Sequence, residues 1–347
     1  MNKKTIAVLF GGCSTEYEIS LQSCHSVLEH LDHNKYDIIP IGITREGDWF
    51  RYHGSYSCLP DNTWHLDKSL LTPVAVSPNR SVHGLLELLP EGNRVVHLDA
   101  AFPMLHGKNG EDGTVQGVFE LAGIPVIGCN TMSSALCMDK DRAHKLVEAA
   151  GIAVPKSVTL FAWERDLAEK KTQGLQYPLF VKPVRAGSSF GITKLEDPAH
   201  LEEAVAMAFQ HDDTVIIEEN IPGFEVGTAV LGRETLTIGR VDEIELSDGF
   251  FDYTEKYTLK TSSIHMPARI SAEKEKEIQE TSLKIYRILG CSGFARIDMF
   301  LTPEGKIVFN EVNTIPGCTS HSRYPGMLGG IGISFAEFVD RLVALYI

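Results

Sequence analysis

The segment from Arg296 to Gly317 constrains the fold more than any other part of this chain, because it reads as one hairpin that gathers oxygen ligands on a single face. Two β-prone runs, 296–301 and 306–313, flank Thr302-Pro303-Glu304-Gly305. Proline presets one turn dihedral and glycine tolerates a positive one, so an even loop centred between Glu304 and Gly305 is the simplest connection. Partner numbers across the hairpin then sum to 609, which sets Asp298 against Glu311 and Arg296 against Asn313. Two-residue alternation puts all four on one face, and a one-residue slip would break the set. Two carboxylates and an amide oxygen beside a guanidinium are costly as plain structure, but they make a hard oxygen site suited to Mg²⁺ carrying phosphates. The plainer reading is a solvated hairpin face with an arginine salt bridge.

A phosphate-bearing ligand would have to be held against the field of the whole molecule, whose formal charge is -14 over 347 residues. Local Lys and Arg must therefore meet it, and neither nucleic acid nor an anionic membrane surface is an expected partner. With 43% apolar and 22% charged residues the chain suits a soluble protein of two or three domains. The seven cysteines, at 13, 24, 58, 129, 137, 291 and 318, are odd in number and contain no CxxC pair. That pattern favours reduced thiols in the cytoplasm over disulfides or a zinc site. Met1-Asn2-Lys3-Lys4 leads into only five apolar residues, Ile6 to Phe10, too few for a signal h-region or a membrane span. A cytoplasmic protein is expected.

Residues 1–130 alternate short apolar strands with helical patterns, the mark of a parallel, doubly wound sheet, with an irregular stretch at 52–96 whose role stays open. A second unit, 131–220, holds the helical run Met138 to Val147 and strands at Pro178–Pro183 and Thr214–Glu219. The third, 221–347, holds antiparallel strands, a helix from Glu275 to Leu289, the hairpin at 295–313 and a closing helix from Ser334. Within it, 247–263 is polar with aromatic anchors and no clean period, the composition of a lid loop.

Four further motifs carry chemistry. Gly11-Gly12-Cys13-Ser14-Thr15-Glu16 follows a strand and opens a helix; an acid there holds an ammonium group well, although Glu16 and Glu18 could equally complement a helix dipole. In Lys182-Pro183-Val184-Arg185-Ala186-Gly187-Ser188-Ser189-Phe190-Gly191 a strand delivers a lysine and then a loop of small residues able to wrap phosphate oxygens. The spacing is not that of a P-loop, and a plain hairpin turn is the alternative. His106-Gly107-Lys108-Asn109-Gly110-Glu111-Asp112-Gly113 sets a histidine beside an acidic pair, which could simply start a helix. Gly317 to Tyr324 offers a free glycine N–H, hydroxyls and Arg323, suited to a carboxylate and a developing oxyanion; a capped loop before a short helix is the bland reading.

Taken together and in order, MDK at 138–140, KPxRxGSSxG at 182–191, EKY at 255–257, RID at 296–298 and NEVNTxPG at 310–317 resemble the D-alanine:D-alanine ligase family of the ATP-grasp enzymes over essentially the whole chain. The resemblance implies an α/β and α+β architecture: an ATP-grasp fold preceded by a Rossmann-like N-terminal domain. It implies ATP phosphates on Lys140, Lys182 and the Ser188-Ser189 loop, adenine at Glu218, Glu219, Asn220 and Ile221, ribose at Glu225, and Phe251 and Lys256 closing over the nucleotide with Asn310 nearby. Asp298, Glu311 and Asn313 would hold two Mg²⁺, which Mn²⁺ could replace. Glu16 would hold the first D-alanine's ammonium with Ser188 and Tyr257 in support and His106 near, while Arg296 and the N–H of Gly317 would stabilise an acyl phosphate and a tetrahedral intermediate. Tyr257 in the lid and Arg323 after Ser322 are similar to the D-alanine:D-serine ligases of the VanG type, linked to vancomycin resistance. Arg323 could orient a carboxylate or accommodate a hydroxylated side chain. A housekeeping D-alanine:D-alanine ligase is the near alternative and a non-catalytic nucleotide sensor the remote one. A homodimer is expected from the family.

Overall fold

In the computed structural model the described residues are 3–187, 190–246 and 262–347. They form three sheets. The first is built from β1 (Lys4–Gly11), β2 (Tyr36–Ile43), β3 (Trp49–Tyr52), β4 (Leu71–Val76), β5 (Gly84–Glu87), β6 (Arg94–His97) and β7 (Ala100–Pro103), in the order β6-β5-β4-β3-β2-β1-β7. Only β2-β1-β7 is parallel. The expectation of a parallel sheet is corrected there: β3, and the strands β4 to β6 within or bordering the stretch 52–96 whose role the sequence left open, each pair antiparallel. β1 is buried on both faces, as a central parallel strand should be, so its run Ile6 to Phe10 is apolar without alternation. Ala7 and Leu9 pack with Val115 and Phe119 of α2 (Thr114–Ala122); Ile6, Val8 and Phe10 belong to a core that also takes in α1 (Tyr17–His30).

The central sheet has the order β10-β9-β11-β8, from β8 (Ser157–Phe161), β9 (Leu179–Pro183), β10 (Thr193–Leu195) and β11 (Thr214–Glu219). The helices α3 (Thr131–Met138) and α4 (Lys140–Ala149) precede it, with Asp139 capping α4 through the Arg142 N–H at 3.0 Å. Two further helices, α5 (Ala168–Thr172) and α6 (Leu201–Ala208), contribute Ala168, Leu201 and Val205 to its core. The third sheet has the order β14-β13-β12-β15-β16, from β12 (Phe224–Gly232), β13 (Leu236–Leu246), β14 (Ser262–His265), β15 (Gly293–Leu301) and β16 (Ile307–Asn313), all antiparallel. The helix α7 (Ala272–Ile288) covers one face through Ile278 and Ile285; α8 (Arg323–Gly329) and α9 (Phe335–Ala344) lie toward the N-terminal sheet. Ser334 caps α9, accepting the Glu337 N–H at 3.2 Å, as its place before an apolar-periodic run predicts.

Phe294, Tyr324 and Phe338 from the end of the chain share one core with Ile6, Val8 and Phe102 from its beginning. The first and last segments are thereby packed as one body. Among the described residues no helix is long and apolar enough to cross a membrane.

Candidate active site

β15 and β16 bring the expected set together. Arg296 pairs with Asn313 and Asp298 with Glu311. The loop is not even, however: Leu301 pairs with Ile307, so five residues, 302–306, make the turn, with Gly305 at φ 80° and the Thr302 carbonyl accepting the Gly305 N–H at 2.9 Å. The partner numbers near the turn sum to 608, and a bulge between Asp298 and Met299 inserts Asn310 and restores 609 at the site. The site register matches the expected one because two one-residue irregularities cancel.

Register across the sheet then lines up Asp242, Gly227, Asp298 and Glu311 on four adjacent strands. Gly227 leaves the room for this row: a Cβ there would overlap the Arg323 guanidinium and lie 2.8 Å from both Asp242 Oδ1 and Asp298 Oδ1. Asp298 is 1% exposed. It accepts from Arg296 Nη2 at 2.7 Å and Nε at 2.9 Å and from Asn313 Nδ2 at 2.9 Å, while Arg323 Nη2 stands 3.3 Å away. Burial opposes ionisation, but the guanidiniums of Arg296 and Arg323 outweigh it and hold the carboxyl below its usual range. Arg323 donates to Asp242 from Nε at 2.7 Å and Nη2 at 2.8 Å, and to Glu225 from Nη1 at 2.9 Å. The sequence left this arginine free to orient a substrate carboxylate; the structure commits it to three carboxylates, so whatever it touches meets a guanidinium already fixed in plane.

Lys140 and Lys182, the lysines expected to meet phosphate, converge on the same region. Lys140 Nζ donates to the Ala186 carbonyl at 2.9 Å and lies 3.5 Å from Glu311, and Lys182 Nζ donates to Glu218 at 2.6 Å, with both lysines buried. Burial again opposes ionisation of Glu218, and Lys182 and His144 reverse it, holding the carboxyl below its usual range. Glu219 points elsewhere, accepting the Gln176 N–H at 2.9 Å, while the Asn220 N–H goes to the Pro178 carbonyl at 2.9 Å. Ile221 follows β11, half-buried.

Glu16 stands at the start of α1 without capping it, and Glu18 on the same helix pairs with Arg45 outside. Its carboxylate is 2.5 Å from where a Cβ on Gly107 would sit and 2.8 Å from one on Gly187, so three loops close around it. Ser14 Oγ donates to the His106 carbonyl at 2.7 Å and accepts the Glu16 N–H at 3.1 Å. His106 is 5% exposed, with Nε2 3.1 Å from Ser23 Oγ, which also accepts the Cys318 N–H at 3.2 Å. Burial pushes His106 down to about 4, so it stays neutral near pH 7. Ser322 Oγ accepts the Thr319 N–H at 3.0 Å and braces the loop beside Gly317. Ser188, Ser189, Phe251, Lys256 and Tyr257 lie outside the described residues.

The carboxylates and arginines of this row, two lysines facing them and an enclosed acid at a helix start sit in a chain matched by two family models. "D-ala D-ala ligase N-terminus" covers residues 5–129 and "D-ala D-ala ligase C-terminus" covers 146–344. The chain belongs to the D-alanine–D-alanine ligase family. Its fold is the ATP-grasp fold of that family, with the N-terminal sheet preceding it. This ligase is 63% identical to the VanG D-Ala:D-Ser ligase of Enterococcus faecalis, whose crystal structure superposes with a TM-score of 0.94 over 100% of both chains. It is 31% identical to the D-alanine-D-alanine ligase of Coxiella burnetii, with a TM-score of 0.85 over 100% of this chain and 94% of that one. By sequence it is 44% identical to the vancomycin B-type resistance protein VanB of Enterococcus faecalis, over 100% of this chain and 99% of VanB. It is 41% identical to a D-alanine–D-alanine ligase of Caldicellulosiruptor bescii, over 100% and 96%.

Two residues of the ligase's site were not singled out from sequence. Asp242 sits mid-strand in an unremarked run, and only cross-strand register shows that it faces Gly227. Glu111 looked like half of a helix-start pair. That work belongs to Asp112, which accepts the Thr114 N–H at 3.0 Å, whereas Glu111 accepts the N–H groups of Gly107 at 2.8 Å and Ile315 at 3.2 Å and so ties together the loops that carry them.

Proposed function

We propose that this ligase uses ATP to activate D-alanine as an acyl phosphate and then joins it to D-serine, supplying the modified peptidoglycan precursors of vancomycin resistance. Arg323, fixed by Asp242 and Glu225 at the start of α8, is the observation that carries the choice of D-serine. A hydroxymethyl group can accept from this guanidinium and donate to a neighbouring carboxylate, and a methyl group can do neither. Likeness to the VanG D-Ala:D-Ser ligase supports the choice of D-serine, and likeness to the vancomycin B-type resistance protein VanB supports the resistance reading.

In this reading Glu16 binds the ammonium of the first D-alanine, and the neutral His106 holds the loop of Gly317 and Cys318 in place through Ser23. Arg296 and the Gly317 N–H receive the charge that develops as the D-alanine carboxylate is phosphorylated and then attacked by the second amine. Lys140 and Lys182 offset phosphate charge, the segment Glu218 to Ile221 meets the base without the Glu219 side chain, which is turned to Gln176, Glu225 meets the ribose, and Asn310 lies near the phosphates. The roles that the resemblance implies for Phe251, Lys256, Tyr257, Ser188 and Ser189, closing over the nucleotide so that water is excluded, fall on residues outside those described.

Among the described residues no group of three His, Cys, Asp or Glu side chains is placed to hold a metal. Two carboxylates and an amide are what remain, Asp298, Glu311 and Asn313. That donor set fits Mg²⁺, or Mn²⁺, that takes its other ligands from phosphates and water, two ions being proposed. Bound there, the metal would neutralise charge on the phosphates. The nucleotide lies between segments 131–220 and 221–347, with 1–130 closing the substrate side. The ligase acts in the cytoplasm as a homodimer. The exposed apolar side chains of Val118, Leu121 and the nearby Met132, at 36%, 66% and 72%, are the face a second copy would cover.

The deciding experiment supplies equimolar D-alanine and D-serine with ATP and separates the dipeptides. Mostly D-Ala-D-Ser is expected. Mostly D-Ala-D-Ala would make this a housekeeping ligase, and no dipeptide with any D-amino acid would leave only a nucleotide-binding role.

A further inference from the structure

We infer that His144 is a positioning residue: it locks the bulge that sets the register of the metal strand and joins that strand to the Lys182–Glu218 pair. The inference rests on the ligase reading for what the strand holds, and on geometry for the rest. His144 lies on α4, 4% exposed, outside every motif that carries the chemistry. Its Nε2 is 2.7 Å from the carbonyl oxygen of Asn310, the residue inserted by the bulge. A carbonyl only accepts, so Nε2 carries the proton and donates. The same bulge is held on its other side by the Phe309 N–H, which leaves the ladder to reach the Ala153 carbonyl at 2.8 Å, and the His144 ring meets Phe309 edge-on at 5.5 Å.

Both grips come from the segment just N-terminal to the central sheet. Without the bulge the pairing near the turn would continue up the hairpin. Asp298 would then face Asn310, Arg296 would face Val312, and Glu311 would move to the opposite face. Holding Asn310 out of the ladder therefore keeps Asp298 opposite Glu311. The other ring nitrogen, Nδ1, faces Glu218 Oε1 at 3.5 Å, and neither atom has a hydrogen-bond partner. That contact sets a buried carboxylate against a ring that favours its charge, which an apolar residue kept for packing alone could not do.

The test compares wild type with His144→Met, His144→Gln and His144→Asn. The glutamine amide can reach the Asn310 carbonyl as a donor, the asparagine is one methylene short, and methionine cannot donate. Mn²⁺ binding in the presence of ADP is read by electron paramagnetic resonance, and the Mg²⁺ and D-alanine dependence of turnover is measured alongside. His144→Met and His144→Asn are expected to weaken Mn²⁺ binding by about 10–100-fold, the range for groups that orient ligands from behind. His144→Gln should stay within a few-fold of wild type, and KM for D-alanine should be unchanged. Equal Mn²⁺ affinity in all four proteins, or Gln as weak as Asn, overturns the inference. If the methionine variant does not fold, the Gln and Asn pair decides. The expected Mn²⁺ pattern without dipeptide synthesis would sink the ligase reading and leave the inference standing, and no Mn²⁺ binding by wild type would overturn both.

Discussion

Glu111 receives backbone N–H groups from two distant parts of the chain while burial first, and the Glu16 carboxylate second, push its own carboxyl up to about 8 from the usual 4.5. A raised acid favours the folded state fully below its unfolded value, and that contribution is lost as pH rises through about 8. Glutamine removes the charge but keeps one acceptor oxygen, whereas the two N–H groups go to different oxygens of Glu111. Glu111→Gln should therefore melt below wild type at pH 5, by the cost of one N–H left without its acceptor, and gain on wild type by several degrees as pH rises from 5 to 9. Parallel melting curves over that range would mean that the carboxyl ionises without cost. His106 runs the other way, since burial lowers it to about 4 from 6.5. Its contribution is present above 6.5 and lost as pH falls toward 4. Its ring-proton resonance should stay flat between about pH 6 and 8. A midpoint near the ordinary histidine value would remove it as a neutral brace for the Cys318 loop.

Among the elements, the hairpin shows what a sequence can and cannot display. Strand identity and the facing of Asp298 and Glu311 were legible because β-prone residues and turn residues are local signals. The five-residue loop and the compensating bulge were not, since both depend on what lies outside the hairpin, including His144 and Ala153. Arg323 was legible as a functional group, but its partners were not. Asp242 and Gly227 join it only through pairing of β12 with β13 and β15, which no spacing in the chain predicts. Gly227→Ala tests that row directly. The added methyl must displace the Arg323 guanidinium or the carboxylates of Asp242 and Asp298. A cost of about 1–3 kcal/mol in stability is expected. Dipeptide synthesis should fall much further than that cost suggests, by about tenfold or more, because the displaced groups are those proposed to meet substrate and metal. Near-wild-type turnover would show that the row tolerates displacement.

For the whole molecule, the sequence marked off an N-terminal α/β unit but gave no sign that its core is completed from the far end of the chain. Ile6, Val8 and Phe102 are buried with Phe294, Tyr324 and Phe338, and apolar residues carry no label for the partner they will meet. Phe294 is the joint. Its ring lies 6.2 Å from Phe102, 5.8 Å from Tyr324 and 6.1 Å from Phe338, and by strand alternation it shares the face of β15 that carries Arg296 and Asp298. Packing of the first and last segments is thus continuous with placement of the face that carries Arg296 and Asp298. Phe294→Ala should cost about 3–5 kcal/mol by opening a cavity at that joint. Because the cavity lies between the segments, KM for D-alanine, for which Glu16 on the N-terminal side is the proposed anchor, should rise more than KM for ATP. Calorimetry should show one unfolding transition in wild type, since a separated N-terminal unit would expose the face containing Ile6, Val8 and Phe102. A first transition that leaves ADP binding intact would show that the shared core does not couple the two ends, and the unequal change in KM would then lose its cause.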